Sequence, residues 1–108
     1  MKLILAIINR DDTYKLMDAL VKRGFKSTLI SSTGGFLREG NSTLIIGAEE
    51  EKVEEVLRII RENCHARKEL VKFWPPTPEV PSLFAPPLEV EVGGATIFIL
   101  NVERLVQV

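Results

Sequence analysis

The chain has 108 residues, a length typical of a single domain, and 45% of them are hydrophobic, which is enough to form one core. Its charges nearly cancel, leaving a formal net charge of −1 at pH 7. This argues against a protein that coats DNA or RNA, because such proteins neutralise phosphates with a basic surface. The single cysteine excludes an intramolecular disulfide framework. The apolar run at residues 3–8 is too short for a signal-peptide core or a membrane span, so we expect a soluble cytoplasmic protein with one domain over residues 1–108.

The first half of the sequence predicts a strand, a helix and two further strands. Residues 2–9 form a continuous apolar run, which is typical of a buried strand. Residues 11–24 predict a helix that begins with capping residues and ends at Gly24, a C-cap glycine. Residues 25–32 and 42–48 predict the next two strands. The apolar stripe of the helix is expected to consist of Tyr14, Met17, Leu20 and Val21.

The second half predicts another helix, a loop and one or two strands. Residues 49–70 read as an amphipathic helix with acids early and bases late. All six prolines lie in residues 73–87, which we expect to form a rigid surface loop. Residues 87–102 predict one or two strands around a Gly93-Gly94 pair. The apolar stripe of the second helix is expected to consist of Val53, Val56, Leu57 and Ile60.

The order of these elements is βαββαβ with an extra strand near the C-terminus. A weak internal repeat, in which a strand, an acidic start and a helix recur, supports an α+β ferredoxin-like sandwich. In that fold the helices cover one face of the sheet, yet the strands at residues 3–8 and 44–46 are apolar at successive positions. A second copy of the chain is the simplest cover for the other face, so we expect a homo-oligomer.

Residues with catalytic chemistry are scarce. Cys64 and the only histidine, His65, are neighbours on the predicted second helix, where they would point about 100° apart rather than face each other. No cluster has metal-ligand spacing, and helix capping accounts for the acidic pair Asp11-Asp12. We therefore expect neither an enzyme nor a metal site.

The segment SSTGGFLREGNST, residues 31–43, offers the chemistry of a ligand site. Gly34 and Gly35 let backbone N–H groups approach an anion or a flat ring closely. Phe36 suits stacking on a base, Asn41 can donate to and accept from a purine edge, and Arg38 could meet a phosphate. The alternative is an ordinary turn anchored by Phe36.

The strand before this segment adds a second polar group to the site. Lys26 and Thr28 are two residues apart and so share one face of the strand. An ammonium and a hydroxyl beside a glycine-rich loop make a plausible seat for a phosphate.

Two stretches, TGGFLREGNSTLIIG (33–47) and EVEVGGATIFIL (89–100), resemble the cyclic di-AMP receptor family of PII-like signal transduction proteins. The likeness also includes the KLILAI start, LVKRGFKST and the ENC before the proline-rich loop. It implies a non-enzymatic, PII-like homotrimer that binds cyclic di-AMP in each cleft between subunits, without a cofactor. It also implies that the 73–87 loop responds to the ligand and signals to an unknown downstream protein.

The resemblance further implies the residues of the site. Lys26 and Ser27 would face the phosphates, Gln107 would reach an adenine, and Phe98 would form a wall. Lys26 stands where the family often has arginine, so a bidentate phosphate contact would be lost. The remaining pocket residues implied by the likeness are Thr28, Gly35, Phe36, Leu37, Asn41 and Gly47.

Two other functions stay open at this stage. A PII-like sensor of ATP or ADP could use the same cleft, although a triphosphate carries more charge than Lys26 and Arg38 would balance. A trimeric interaction scaffold without a small-molecule ligand would instead use Phe73, Trp74 and Phe84 as partner contacts.

Overall fold

A computed structural model describes residues 1–31, 40–71 and 88–108, with side chains for all of these except 31, 69–71 and 88–92. Two short 3-10 turns, Arg10–Asp12 and Glu50–Lys52, precede the two α-helices. The described elements in chain order are β1 (Lys2–Asn9), α1 (Thr13–Lys22), β2 (Ser27–Ser31), β3 (Asn41–Ala48), α2 (Val53–Asn63), β4 (Arg67–Val71), β5 (Leu88–Val92) and β6 (Ala95–Asn101).

Four strands form an antiparallel sheet in the order β2-β3-β1-β6. This is the order of a ferredoxin-like sheet, with β6 in the place of the fourth strand, so the predicted α+β fold is confirmed. The additional strands are β4 and β5, which pair with each other in a separate two-stranded sheet. We call this pair the arm. The arm is inserted between α2 and β6 and does not extend the main sheet.

The core lies between the helices and one face of the four-stranded sheet. Every second residue of β1 and β3 is buried, because successive side chains of a strand point to opposite faces. The helices complete the core, and each fully buried Leu or Ile stabilises the fold by roughly 1.5–3 kcal/mol. The buried core residues include Ile4, Ala6, Ile8, Leu44, Ile46, Leu16, Leu20, Val56, Ile59 and Ile60.

The predicted stripe of α1 was wrong at two positions. Tyr14 is 75% exposed and Val21 is 66% exposed, whereas Leu16 and Leu20 are fully buried. Thr13 is also buried, and the spacing of residues 13, 16 and 20 defines the inward stripe. Tyr14 and Val21 each follow a buried residue by one position, which turns them about 100° away from the core.

The predicted extent of the second helix was also wrong, because α2 ends at Asn63 and not at residue 70. The Nδ2 group of Asn63 donates to the carbonyl of Ile59, and Cys64 leaves helical geometry with φ of −131°. Cys64 and His65 are therefore not neighbours on a helix. The chain then enters β4, where Arg67 pairs with Val92 of β5.

The prediction of strands around Gly93-Gly94 is confirmed. Both glycines have positive φ, 82° and 80°, and they carry the chain from β5 into β6. The proline-rich loop predicted at residues 73–87 lies outside the described residues.

Candidate functional site

The face of the main sheet that points away from the helices carries a row of side chains from all four strands. Strand register places Thr28 opposite Ile45, Ile45 opposite Leu5, and Leu5 opposite Phe98. Phe98 is 40% exposed. We call this surface the open face. It places Thr28 and Phe98, two predicted site residues that are 70 positions apart in the sequence, on the same face, at opposite edges of the sheet and about 14 Å apart by strand spacing.

Gly47 lies in the next row of the open face, opposite Leu3, which in turn pairs with Leu100. Leu100 is 44% exposed. Within the described residues, a Cβ atom added at Gly47 would contact only the Sδ atom of Met1, at 3.9 Å. The absent side chain therefore leaves a gap between apolar neighbours. Exposed Lys26 comes immediately before β2, two residues from Thr28 and next to this row.

Asn41 begins β3 at the end of the glycine-rich segment. It pairs with Asn9 of β1, and it is 5% exposed. The alternation of β3 puts Asn41 on the same side as Ile45 and Gly47. The neighbouring carbonyl of Gly40 accepts a hydrogen bond from the backbone N–H of Arg10, at 2.6 Å. The end of the glycine-rich segment is thus tied to the turn that follows β1.

Several predicted site residues lie outside the described part of the chain. Gly35, Phe36 and Leu37 are among them, as are Gly34 and Arg38, so their part in a site stays a prediction.

Ser27 and Gln107 occupy different surroundings from Thr28. Ser27 is opposite Ile46, on the helix side of the sheet, and its Oγ atom is buried without a hydrogen-bond partner. Its hydroxyl therefore points away from the open face. Gln107 is exposed in the tail that follows β6, where Leu105 and Val106 are each 62% exposed. The structure does not place Gln107 on the sheet with the other residues.

An ion pair that the sequence reasoning missed joins the start of α1 to the arm. The carboxylate of Asp12 lies 3.4 and 3.5 Å from two guanidinium nitrogens of Arg67. Asp12 makes no side-chain capping hydrogen bond, so capping does not account for it. Asn9 is the residue that caps the turn, because its Oδ1 accepts from the backbone N–H of Asp11 at 2.8 Å. A buried carboxylate needs a charged partner, but the sequence does not reveal that Asp12 is only 4% exposed.

Cys64 lies near this ion pair as a buried thiol. Burial raises the pKa of Cys64 to about 12, and the negative charge of Asp12 adds to the rise, whereas Lys15 and Arg67 oppose it. The thiol is therefore protonated at neutral pH, and a protonated thiol is a poor nucleophile.

Within residues 1–31, 40–71 and 88–108, no three His, Cys, Asp or Glu side chains come together in a group that could hold a metal ion. In the same part of the chain, no helix is long and apolar enough to cross a bilayer.

Comparison with solved structures defines the class of fold. The PII protein of Arabidopsis thaliana, solved with bound citrate, aligns with a TM-score of 0.65 at 19% identity, over 99% of this chain and 79% of that one. That likeness shows a PII-like fold. A functionally unknown protein from Pediococcus pentosaceus ATCC 25745 aligns with a TM-score of 0.75 at 39% identity, over 99% and 96% of the two chains.

The family is more specific than the fold. The family model described as cyclic-di-AMP receptor matches residues 1–108, and the chain belongs to that family. The resemblance identified from the two glycine motifs is thus confirmed.

Proposed function

We propose that this protein is a non-enzymatic receptor that binds cyclic di-AMP on the open face, at the interfaces between the subunits of a homotrimer. The observation that carries the proposal is that Thr28, Gly47 and Phe98 share the open face, in a chain that belongs to the cyclic-di-AMP receptor family. Membership of that family supports a nucleotide ligand, and the geometry of the open face supports the position.

The chemistry of the open face suits a flat base attached to a phosphate. An adenine ring can lie over the gap at Gly47, where no side chain rises from the sheet. Phe98 offers an aromatic wall, and the Thr28 hydroxyl can donate to a phosphate oxygen. Lys26 supplies a cation beside Thr28, as a point charge without the fork geometry of arginine.

Two of the other residues implied by the sequence have more limited roles in this arrangement. Because the Ser27 hydroxyl lies on the helix side, any contact from Ser27 to a ligand over the open face comes from its main chain. Asn41 lies at the edge of the site on the side of Ile45, where its amide can meet a base edge.

The apolar character of the open face supports self-association. Ile30, Phe98 and Leu100 are each at least 40% exposed, although a sheet of this kind normally buries such side chains. Packing another subunit on this face would remove that surface from water, at about 25 cal/mol for each Å². The exposed tail with Leu105 and Gln107 would then lie within reach of a neighbouring subunit, and Gln107 could meet an adenine there.

In this proposal the 73–87 loop carries the signal from the ligand to a downstream protein. Ligand binding would shift the 73–87 loop between states, and the loop would engage or release an unknown downstream protein. Comparison of that loop with and without ligand tests this step, and an unchanged loop would remove it.

Calorimetry tests the binding proposal directly. The untagged protein is titrated with cyclic di-AMP, and with cyclic di-GMP and ATP as controls. We expect selective binding of cyclic di-AMP at about one ligand for each chain. Preference for ATP would instead favour the sensor of mononucleotides, and binding to none of the three would overturn the proposal in favour of a scaffold.

A further inference from the structure

We propose that the Asp12–Arg67 ion pair couples the candidate ligand site to the orientation of the arm. This coupling rests on the proposed function, because the ligand is its input. The pair lies where three segments meet: the turn Arg10–Asp12 after β1, the first residue of β4, and the chain leaving β5.

Close neighbours at the base of the arm hold the side chain of Arg67 in place beside Asp12. The arm shares no ladder with the main sheet, so sheet hydrogen bonds do not set its orientation. Arg67 pairs with Val92, and Gly93 follows directly. A Cβ atom on Gly93 would lie 2.6 Å from Nη1 of Arg67 and 2.7 Å from the carbonyl oxygen of His65. The guanidinium therefore lies against Gly93 on its way to Asp12.

Asp12 is much more buried than Arg67, so losing the contact between them is costly for the Asp12 carboxylate. The side chain of Asp12 is 5% exposed, whereas that of Arg67 is 33% exposed. At 3.4–3.5 Å the contact is long for a hydrogen bond and is mainly electrostatic. A rotation of the arm that withdrew Arg67 would leave a buried carboxylate without its cation, which is strongly unfavourable. The position of Asp12 thus selects the orientation of the arm.

The same turn contacts the candidate ligand site on its other side. Arg10 donates its backbone N–H to the carbonyl of Gly40, and Asn9 pairs with Asn41. Only Asp11 separates Arg10 from Asp12 along one short turn. A ligand that moves the Gly40–Asn41 backbone therefore moves the turn, and with it the carboxylate that holds Arg67.

Hydrogen exchange of the full chain, followed by mass spectrometry with and without cyclic di-AMP, tests this coupling. The variants are Asp12→Asn, which keeps the shape of the side chain but removes the anion, and Arg67→Gln, which removes the cation. The matched controls are Asp18→Asn on α1 and Arg58→Gln on α2, which remove one exposed charge each. Calorimetry on the same samples reports whether each variant binds the ligand.

Without ligand, Asp12→Asn is expected to raise amide exchange in β4 and β5 by about tenfold, because the charge attraction that holds Arg67 against α1 is lost. Exchange in β1 should not change, and neither control should alter the arm. With ligand, the wild-type arm should change its exchange, whereas Asp12→Asn should bind and show no further change in the arm. If Asp12→Asn does not fold, Arg67→Gln provides the same comparison, since the side chain of Arg67 is partly exposed.

Each contrary result identifies what has failed. Arm exchange at the wild-type rate in both variants would overturn the role of the ion pair. Binding without any change in the wild-type arm would overturn the coupling and leave the proposed function intact. Absence of binding in the calorimeter would overturn the proposed function, and the coupling with it, while the comparison without ligand still reports on the pair.

Discussion

Replacing Gly93 by alanine should destabilise the protein more than the same replacement at Gly24, although both glycines have nearly the same positive φ angle. Their φ angles are 82° and 84°. Gly24 follows the C-cap residue of α1, and a Cβ atom there would meet no described atom within 4 Å. At Gly93 the added atom would lie 2.7 Å from the backbone oxygen of His65 and 2.6 Å from the guanidinium of Arg67. The pair of variants therefore separates the effect of conformation from the effect of space.

The magnitudes follow from these contacts. A positive φ on an alanine costs about 1–2 kcal/mol, and this term is common to both variants. The reduced entropy of the unfolded chain is also common, so it cancels in the comparison. At Gly93 the backbone of His65 cannot rotate away, and Arg67 must leave its place beside Asp12. Overpacking and the weakened ion pair together add about 1–3 kcal/mol.

Urea unfolding at equal protomer concentration measures this difference, with far-UV circular dichroism as the probe. We expect Gly93→Ala to lose about 2–5 kcal/mol of unfolding free energy and Gly24→Ala about 1–2 kcal/mol. Equal losses, within about 0.5 kcal/mol, would refute the close approach at the root of the arm. A fall in the m-value of Gly93→Ala alone would indicate that the arm unfolds separately.

Three further predictions concern the open face and the buried thiol. Gly47→Val should lower the affinity for cyclic di-AMP at least about tenfold, which is about 1.4 kcal/mol, with little change in unfolding free energy. Calorimetry measures the affinity and urea unfolding measures the stability. An unchanged affinity would place the ligand elsewhere. Phe98→Asp should dissociate the oligomer, whereas Val21→Asp, at an exposed site on the helix layer, should leave it intact. Light scattering after gel filtration measures the mass of each variant. An intact oligomer in both variants would exclude the open face as the interface. Because the pKa of Cys64 rises from 9.0 to about 12 on folding, the unfolded chain loses its thiol proton first, and stability should fall above pH 9 by up to about 1.4 kcal/mol per pH unit. Urea titrations of the wild type and Cys64→Ala give this contribution as a difference, and parallel curves from pH 8 to 11 would contradict it.

The parts of the fold that depend on local pattern were predictable, and those that depend on distant pairing were not. The runs at residues 2–9 and 42–48 identify strands because each is apolar over a strand length. Residues 67–70 fit a helix as well as a strand by local composition. They form β4 because a partner strand, Leu88–Val92, lies later in the chain. The partner of Asp12 is likewise 55 residues away, so no local rule could assign it.

The candidate site shows the same division. Thr28 and Gly47 were expected in one pocket, and the register of β2 and β3 brings them to one face. Thr28 lies opposite Ile45, which is two positions before Gly47 on β3. Ser27 could have been separated from Thr28 in advance, because adjacent residues of a strand point to opposite sides. The placement of Phe98 on the same face depends on β6 pairing with β1, which only the structure reveals.

The pairing of β1 with β6 also governs how the chain reaches its final form. Lys2 lies opposite Asn101, and their side chains are in contact, so the sheet closes between residues 99 positions apart. Such distant pairing slows folding, and β6 is expected to join after β1, β2 and β3 have assembled. The arm lies inside this closing loop, where doubling the loop length adds only about 0.6 kcal/mol to the entropy of closure. The chain can therefore change the length and composition of its arm over evolutionary time with little effect on the four-stranded sheet.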